Sequence, residues 1–136
     1  MELGRVSTAM VTPFSSTGDI DYDKTAKLIE HLIANGSDSL VVCGTTGESP
    51  TLSVEEKEAL FTFTIKEVNK RIPVIAGTGT FSTKETVKLT RMAERVGADG
   101  IMLVAPYYNK PDQKGMYAHF AHVAGETSLQ IGRAHV

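Results

Sequence analysis

Three things are scarce in this sequence, namely cysteine, clustered basic charge and long apolar runs, and each scarcity excludes a class of protein. Cys43 is the only cysteine among 136 residues, which excludes an internal disulfide and a thiolate metal cluster. The net charge is −2 without a basic block, so no nucleic-acid or membrane surface is indicated as a partner. No apolar run approaches the length of a membrane span, and the first five residues do not resemble a signal peptide. We therefore expect a cytoplasmic protein.

What the sequence does contain is an alternation of apolar runs and amphipathic segments. Its hydrophobic content of 41% and charged content of 22% are typical of a globular domain. Four apolar runs predict strands at residues 6–12, 40–43, 74–76 and 101–105. Helices are predicted to begin near residues 21, 53, 82 and 114. The second helix starts with a capping box, Ser53 with Glu56, and the third repeats it with Ser82 and Glu85.

These units indicate a parallel sheet covered by helices. The strands are apolar throughout rather than alternating, as in sheets that are buried on both faces. Two architectures fit, a doubly wound sheet and a (β/α)8 barrel. No Gly-x-Gly-x-x-Gly follows the first strand, which argues against a dinucleotide-binding doubly wound fold. Because only four βα units are present, we expect an α/β fold that is the N-terminal half of a (β/α)8 TIM barrel.

The candidate ligand-binding loop is Gly-Thr-Thr-Gly-Glu-Ser at residues 44–49, where the second strand ends. Gly44 and Gly47 permit positive φ and a close approach of a ligand to the backbone, and the two threonines add hydroxyl donors. The alternative is an ordinary strand-to-helix turn. A second unusual loop follows the fourth strand, where Tyr107 and Tyr108 come directly after a proline. Two adjacent aromatic residues in a loop suit a site or an interface.

With these two loops together, the chain resembles the dihydrodipicolinate synthase family, within the superfamily of pyruvate-dependent class I lyases and aldolases. The likeness runs from about Val6 to Leu129 and includes Ala-Met-Val-Thr-Pro at 9–13, Val-Ile-Ala-Gly-Thr-Gly at 74–79 and Val-Ala-Pro-Tyr-Tyr-Asn-Lys-Pro at 104–111. N-acetylneuraminate lyases of the same superfamily usually have Gly-Ser-Thr-Gly-Glu where this chain has two threonines. That difference favours the synthase, and a sialic-acid or keto-sugar-acid lyase is the alternative.

The resemblance implies a condensation of pyruvate, held as a Schiff base on a lysine, with aspartate semialdehyde, on the route to diaminopimelate and lysine. No metal or organic cofactor is implied. Thr45 would bind substrate as a member of a proton relay, and Thr46 would hold the pyruvate carboxylate. Tyr108 would be the relay partner that reaches into the site of a neighbouring subunit, in a homotetramer built from dimers.

The likeness ends at Leu129, where the family continues into a strand that ends in Tyr-Asn-Val-Pro-x-Arg. This chain reads Gln-Ile-Gly-Arg-Ala-His-Val at 130–136, which supplies neither the central relay tyrosine nor the arginine motif. The Schiff-base lysine belongs to a later strand. We therefore expect residues 1–129 to be half of the barrel, residues 130–136 to be a foreign or frame-shifted tail, and the chain by itself to be inactive. A non-catalytic half-barrel is the remaining alternative.

The other reactive residue types are interpreted as structural or solvated. A Schiff-base lysine needs an apolar pocket, whereas Lys110 lies in a polar loop and the lysines at 24, 27, 57, 66, 84 and 88 are expected to be solvated on helices. His119 and His122 lack a third metal ligand and are interpreted as helix surface. Cys43 is expected to lie in the core, and Glu48 to favour a helix start or to bond nearby N–H groups.

The resemblance also bears on regulation. Family members inhibited by lysine bind it in an interface pocket lined by histidines and an asparagine, and this chain has Val54, Lys57 and Phe81 at those positions. Valine and phenylalanine side chains cannot hydrogen-bond the ligand, and Lys57 would repel its ammonium group. We therefore expect weak or absent inhibition by lysine.

Overall fold

The computed structural model describes residues 2–133, in which strands and α-helices alternate along the chain. The strands are β1 (Ser7–Ala9), β2 (Ser39–Val42), β3 (Val74–Gly77), β4 (Gly100–Leu103) and β5 (Gln130–Arg133). The helices are α1 (Tyr22–Ala34), α2 (Val54–Val68), α3 (Thr83–Val96) and α4 (Gln113–Ala124), with a 3₁₀ turn at Ser49–Thr51. The first strand is shorter than predicted. After β1 the chain runs beside the loop that follows β2, and the Thr12 hydroxyl donates a hydrogen bond to the Gly47 carbonyl in that loop at 2.7 Å.

The sheet is parallel throughout, and the strands lie side by side in the order in which they occur in the chain. A doubly wound sheet requires a reversal of that order, so the sequential order confirms the barrel type of fold. The helices likewise pack neighbour to neighbour, α1 on α2, α2 on α3 and α3 on α4. The arrangement is that of the N-terminal half of a TIM barrel, as predicted.

The core lies between the sheet and the helices. Its largest fully buried apolar side chains come from both layers and include Ile29, Leu40, Leu60, Phe61, Ile101 and Leu103. On β1 the opposite face is open, because Ser7 and Ala9 are exposed while Thr8 between them is half-buried. In a barrel this second face points inward. The open face does not extend into β2 and β3, because every residue of those two strands is buried.

Helix ends follow the predicted signals with one difference. The Ser53–Glu56 capping box at α2 is complete, with both reciprocal hydrogen bonds present. At α3 the Ser82 hydroxyl accepts from the Glu85 N–H, but the Glu85 carboxylate lies 2.8 Å from the Lys88 ammonium. The exposed ion pair draws that carboxylate away from the helix start, so the predicted second box is only half formed.

The segment at 130–136 enters the fold in part. Its first four residues form β5, which pairs with β4 from Gly100 to Leu103, and residues 134–136 lie outside the described range. Parallel pairing uses main-chain donors and acceptors and therefore does not depend on a particular side-chain sequence. The foreign origin of this segment stays a prediction. Within residues 2–133, none of the helices combines the length and the apolar character needed to cross a membrane.

Candidate functional site

The loop of residues 44–49 leaves β2 at the carboxyl edge of the sheet and is closed by its own backbone. The N–H groups of Gly47 and Ser49 both donate to the Gly44 carbonyl, at 3.1 and 3.3 Å. From outside, the buried Thr12 hydroxyl anchors the Gly47 carbonyl. The loop is thus held on both sides, which fixes the positions of the two threonines between the glycines.

Positive φ in this loop falls beside the glycines rather than on them. Cys43 has φ of 55° and Glu48 has φ of 57°, whereas Gly44 and Gly47 do not lie in that region. Gly47 is needed for space, because a Cβ atom there would lie 3.2 Å from the Met10 carbonyl oxygen. Glu48 precedes the 3₁₀ turn, as expected of a helix start, but its side chain makes no capping bond.

Thr45 and Thr46 leave their hydrogen-bond donors available to a ligand. Both residues are exposed. Neither their hydroxyls nor their backbone N–H groups donate to another of the described residues, 2–133. Hydroxyl and amide donors on adjacent residues can together hydrogen-bond a carboxylate, which only accepts. The loop can therefore bind a small carboxylate without rearranging its own hydrogen bonds.

A pocket of about 280 Å³ opens beside this loop, at the carboxyl ends of β2, β3 and β4. Its polar lining includes Thr45 and Ser49 from the loop, Lys57 from α2 and Tyr107 from the loop after β4. We call it the Lys57 pocket. Active sites of TIM-barrel enzymes lie at this end of the strands. The pocket is accordingly in the right place for a ligand site.

The burial of Lys57 contradicts the prediction that it is solvated. Its exposure is 7%, and burial lowers the pKa of its ammonium group, an effect that Cys43 partly opposes. The sequence did hold a signal for this. Position 57 continues, at spacings of three and four, the buried stripe of α2, which comprises Lys57, Leu60, Phe61, Thr64 and Val68. Because lysine is seldom buried, the sequence predicts a solvated residue at position 57, although it lies on the buried face of the helix.

Cys43 lies in the core, as predicted. It is 2% exposed, and burial raises the pKa of its thiol to about 12, although Lys57 acts in the opposite direction. A thiol held protonated in this way is a weak nucleophile. It contributes an apolar wall to the pocket rather than a reactive group.

Tyr107 and Tyr108 have different surroundings. Tyr107 lines the Lys57 pocket, whereas Tyr108 is outside its lining and is 86% exposed. Both rings lie against Phe81, with centroid distances of 5.4 and 6.3 Å. Phe81, Tyr107 and Tyr108 form what we call the aromatic patch. Tyr108 therefore does not share the lining of this pocket with Thr45, and the relay between them stays a prediction.

His119 is buried, so its interpretation as helix surface is wrong. It is 4% exposed, with Nδ1 2.8 Å from the Thr83 hydroxyl and Nε2 without a partner in the described part of the chain. Burial lowers the pKa of its imidazole. His122 is exposed, as expected. No group of three or more His, Cys, Asp or Glu residues between positions 2 and 133 is placed to hold a metal ion.

The family model and two curated relatives assign the chain to one family. The model of the dihydrodipicolinate synthetase family matches residues 2–131. The chain is 63% identical over 131 residues to a 4-hydroxy-tetrahydrodipicolinate synthase of Bacillus velezensis, covering 96% of this chain and 45% of that protein. The corresponding enzyme of Bacillus subtilis is 62% identical with the same coverage. The chain thus spans about half the length of the curated relatives it matches.

Solved structures agree with this result. A dihydrodipicolinate synthase of Bacillus anthracis superposes with a TM-score of 0.95 at 53% identity, covering 98% of this chain and 46% of that one. A chloride-inhibited dihydrodipicolinate synthase of Acinetobacter baumannii, complexed with pyruvate, gives a TM-score of 0.96 at 43% identity, with coverages of 99% and 46%. The likeness extends over the whole described fold.

Proposed function

The chain belongs to the dihydrodipicolinate synthetase family, and on that premise we propose that the protein carrying it condenses pyruvate with aspartate semialdehyde in the cytoplasm. The product is 4-hydroxy-tetrahydrodipicolinate, and pyruvate is held as a Schiff base on a lysine outside the described residues. The names of the two Bacillus relatives support the synthase over the sialic-acid or keto-sugar-acid lyase of the same superfamily. The pyruvate complex of the Acinetobacter relative supports the first substrate.

The observation that carries the proposal is the set of unengaged donors on Thr45 and Thr46. In the proposed reaction the hydroxyl and N–H of Thr46 hold the pyruvate carboxylate. The Thr45 hydroxyl is too weak an acid to act alone, but it passes a proton between phenols within hydrogen-bond reach. Fixing the carboxylate orients the keto carbon toward the attacking amine, and the relay moves protons during the condensation.

A second copy of the chain completes this relay. Tyr108 is 86% exposed and does not line the Lys57 pocket of its own chain, which suits a side chain that enters the site of a neighbour. The exposed aromatic patch is a suitable contact surface, because aromatic residues are enriched in the buried cores of interfaces. We place this contact in the dimer from which a homotetramer is built.

Three variants of the protein, in the longest form that its gene encodes, test these roles. Removing a proton-transfer group typically costs about 10²–10⁴ in rate. We therefore expect Thr45→Val and Tyr108→Phe each to lower kcat about 100-fold or more. Thr46→Val should instead raise KM for pyruvate by about tenfold, because it removes a hydrogen bond to a charged group. Thr62→Val, at an exposed position on α2, is the control and should leave both constants unchanged.

Equal loss of activity in the Thr62 control, or wild-type constants for Thr45→Val, would contradict the assignment.

Mixing Tyr108→Phe subunits with subunits that carry Thr45→Val tests the contact between chains. If Tyr108 serves a neighbouring site, the mixed oligomers contain some sites with both native residues and regain part of the activity. No recovery would place Tyr108 in its own subunit's site.

We further propose that residues 1–136 by themselves are catalytically silent. The enamine requires a covalent imine, and losing a nucleophile from a catalytic unit costs on the order of 10⁶ in rate. Incubation with pyruvate and borohydride, followed by intact mass spectrometry, should give no adduct with these residues and a clean adduct with the longer protein. A saturable pyruvyl adduct on one lysine of the short chain, at Lys110 or at the buried Lys57, would overturn this proposal.

A further inference from the structure

His119 is a buried imidazole that the proposed reaction leaves unused. It is 4% exposed, and its Nε2 atom is fully buried without a hydrogen-bond partner in residues 2–133. Its Nδ1 atom lies 2.8 Å from the Thr83 hydroxyl, within hydrogen-bond distance. Because a buried polar group that loses its partner is costly, the ring is held in the orientation that keeps this bond. His119 and Thr83 therefore link α4 firmly to α3.

Thr83 is the first residue of α3, and the chain just before it is held tightly. The Thr80 hydroxyl donates to the Ser82 carbonyl at 2.9 Å and accepts from the Ser82 N–H at 3.0 Å. The Ser82 hydroxyl in turn caps α3. Phe81 lies between Thr80 and Ser82 in this tight turn. A movement of the start of α3 would therefore carry Phe81 with it.

The aromatic patch joins this turn to the loop that carries Tyr108. Phe81 packs edge-on against the Tyr107 ring and at an angle to the Tyr108 ring. Its carbonyl accepts a hydrogen bond from the Asn109 side chain at 3.3 Å. Both partners of that hydrogen bond are exposed, and exposed contacts open easily. The buried link behind them therefore decides how the loop is held against α3.

Helix α4 connects the same loop to His119. The loop enters α4 at Asp112, whose carboxylate caps the helix by accepting from the Gly115 N–H at 2.7 Å. His119 follows on the second turn of the helix. The loop of residues 104–112 is thus joined to α3 at two points. The aromatic patch contacts its middle, and the bond between His119 and Thr83 fixes the helix at its end.

We infer that His119 and Thr83 are positioning residues for Tyr108: their hydrogen bond fixes α4 against the start of α3 and so holds the aromatic patch in the arrangement that presents Tyr108 to a neighbouring chain. The inference rests on the proposed role of Tyr108 in the proton relay. Loss of the bond displaces the Tyr108 phenol without removing it, and a displacement of about 1 Å can cost up to about 10² in rate. The loop at Thr46 keeps its own hydrogen bonds, so pyruvate binding is unaffected.

Two substitutions at Thr83 provide the test, on the protein in its longest form. Thr83→Val removes the hydroxyl and keeps the shape, whereas Thr83→Ser keeps the hydroxyl. We expect Thr83→Val to lower kcat about tenfold or more with KM for pyruvate unchanged, and Thr83→Ser to retain the wild-type kcat. In a Tyr108→Phe background, Thr83→Val should have no further effect, because it acts through a phenol that is already absent. A general loss of folded protein would lower kcat in both backgrounds.

A second measurement does not depend on activity. The tyrosines are replaced by 3-fluorotyrosine, and the ¹⁹F resonance of Tyr108 is assigned by its absence in Tyr108→Phe. This resonance should shift or broaden in Thr83→Val and in His119→Leu, and should keep its wild-type position in Thr83→Ser. The matched control is His122→Leu, at an exposed histidine of the same helix, which should leave both kcat and the resonance unchanged.

The outcomes separate this inference from the proposed function. If Tyr108→Phe lowers kcat as proposed, then a wild-type kcat in Thr83→Val, an equal loss in Thr83→Ser, or a further loss in the Tyr108→Phe background would overturn the inference. A wild-type kcat in Tyr108→Phe would instead mean failure of the proposed function. The resonance then decides: a Tyr108 signal that changes in Thr83→Val but not in Thr83→Ser or His122→Leu supports the positioning, and any other pattern overturns it.

Discussion

Replacing Thr64 by valine should make this protein more stable. Thr64 lies on α2 with no exposed surface, and its hydroxyl has no hydrogen-bond partner among residues 2–133. A buried hydroxyl without a partner costs about 1–3 kcal/mol. Valine has the same branched shape and differs little in helix propensity, so the main change is removal of that cost. We expect Thr64→Val to raise the free energy of unfolding by about 1 kcal/mol or more.

The same substitution at Thr90 should have the opposite effect. Thr90 lies on α3, is equally buried, and its hydroxyl is 3.0 Å from that of Thr78, which is also fully buried. Thr90→Val breaks this hydrogen bond and leaves the Thr78 hydroxyl without it. A loss of about 1–2 kcal/mol is therefore expected. Shape and burial are matched in the two variants, so the sign of the change depends on the hydrogen bond alone.

Urea unfolding followed by circular dichroism measures both effects, on the protein in its longest form. The midpoint should rise for Thr64→Val and fall for Thr90→Val, with the slope of the transition unchanged. A fall of similar size for both variants would refute the reasoning, because it would show that the Thr64 hydroxyl contributes a favourable hydrogen bond. A change in slope would instead indicate that the unfolded state had been altered.

Three further predictions concern acid, regulation and assembly. Burial holds the pKa of His119 below its usual value, so the neutral imidazole stabilises the fold above the unfolded pKa near 6.5, and this contribution is lost as the pH falls through the folded pKa. Unfolding measured at pH 7.5 and at pH 5.5 should therefore show a smaller loss of stability on acidification for His119→Gln than for the wild type. The exposed control His31→Gln should lose as much stability as the wild type does. Lysine should inhibit the longer protein weakly or not at all, since Val54 and Phe81 cannot hydrogen-bond it and Lys57 repels its ammonium group, and strong inhibition below millimolar lysine in a coupled assay would show this wrong. Residues 1–136 expressed alone should self-associate through the outer edges of β1 and β5, whereas a monodisperse monomer with cooperative unfolding in sedimentation and calorimetry would contradict that expectation.

Much of the fold could be predicted because it depends on neighbours in the chain. The Ser53–Glu56 capping box spans one helical turn, so it can be recognised without any tertiary contact. Strands that are apolar on both sides indicated a parallel sheet, and the missing dinucleotide motif indicated a barrel. The loop at Thr45 and Thr46 was recognisable because two glycines and two hydroxyls follow a strand directly. Each of these signals lies within a few consecutive residues.

What the sequence by itself determined, then, is the order of the elements and the loop that carries the candidate site. Tertiary structure alone decided which polar residues are buried. His119 is buried because α4 packs against α3, where Thr83, 36 residues away, lies within hydrogen-bond distance of its Nδ1. Lys57 lies on the buried stripe of α2, where it lines a pocket at the carboxyl ends of β2, β3 and β4. A helical lysine or histidine has the same local pattern in solvent and in a core, and only the elements packed against it decide between the two.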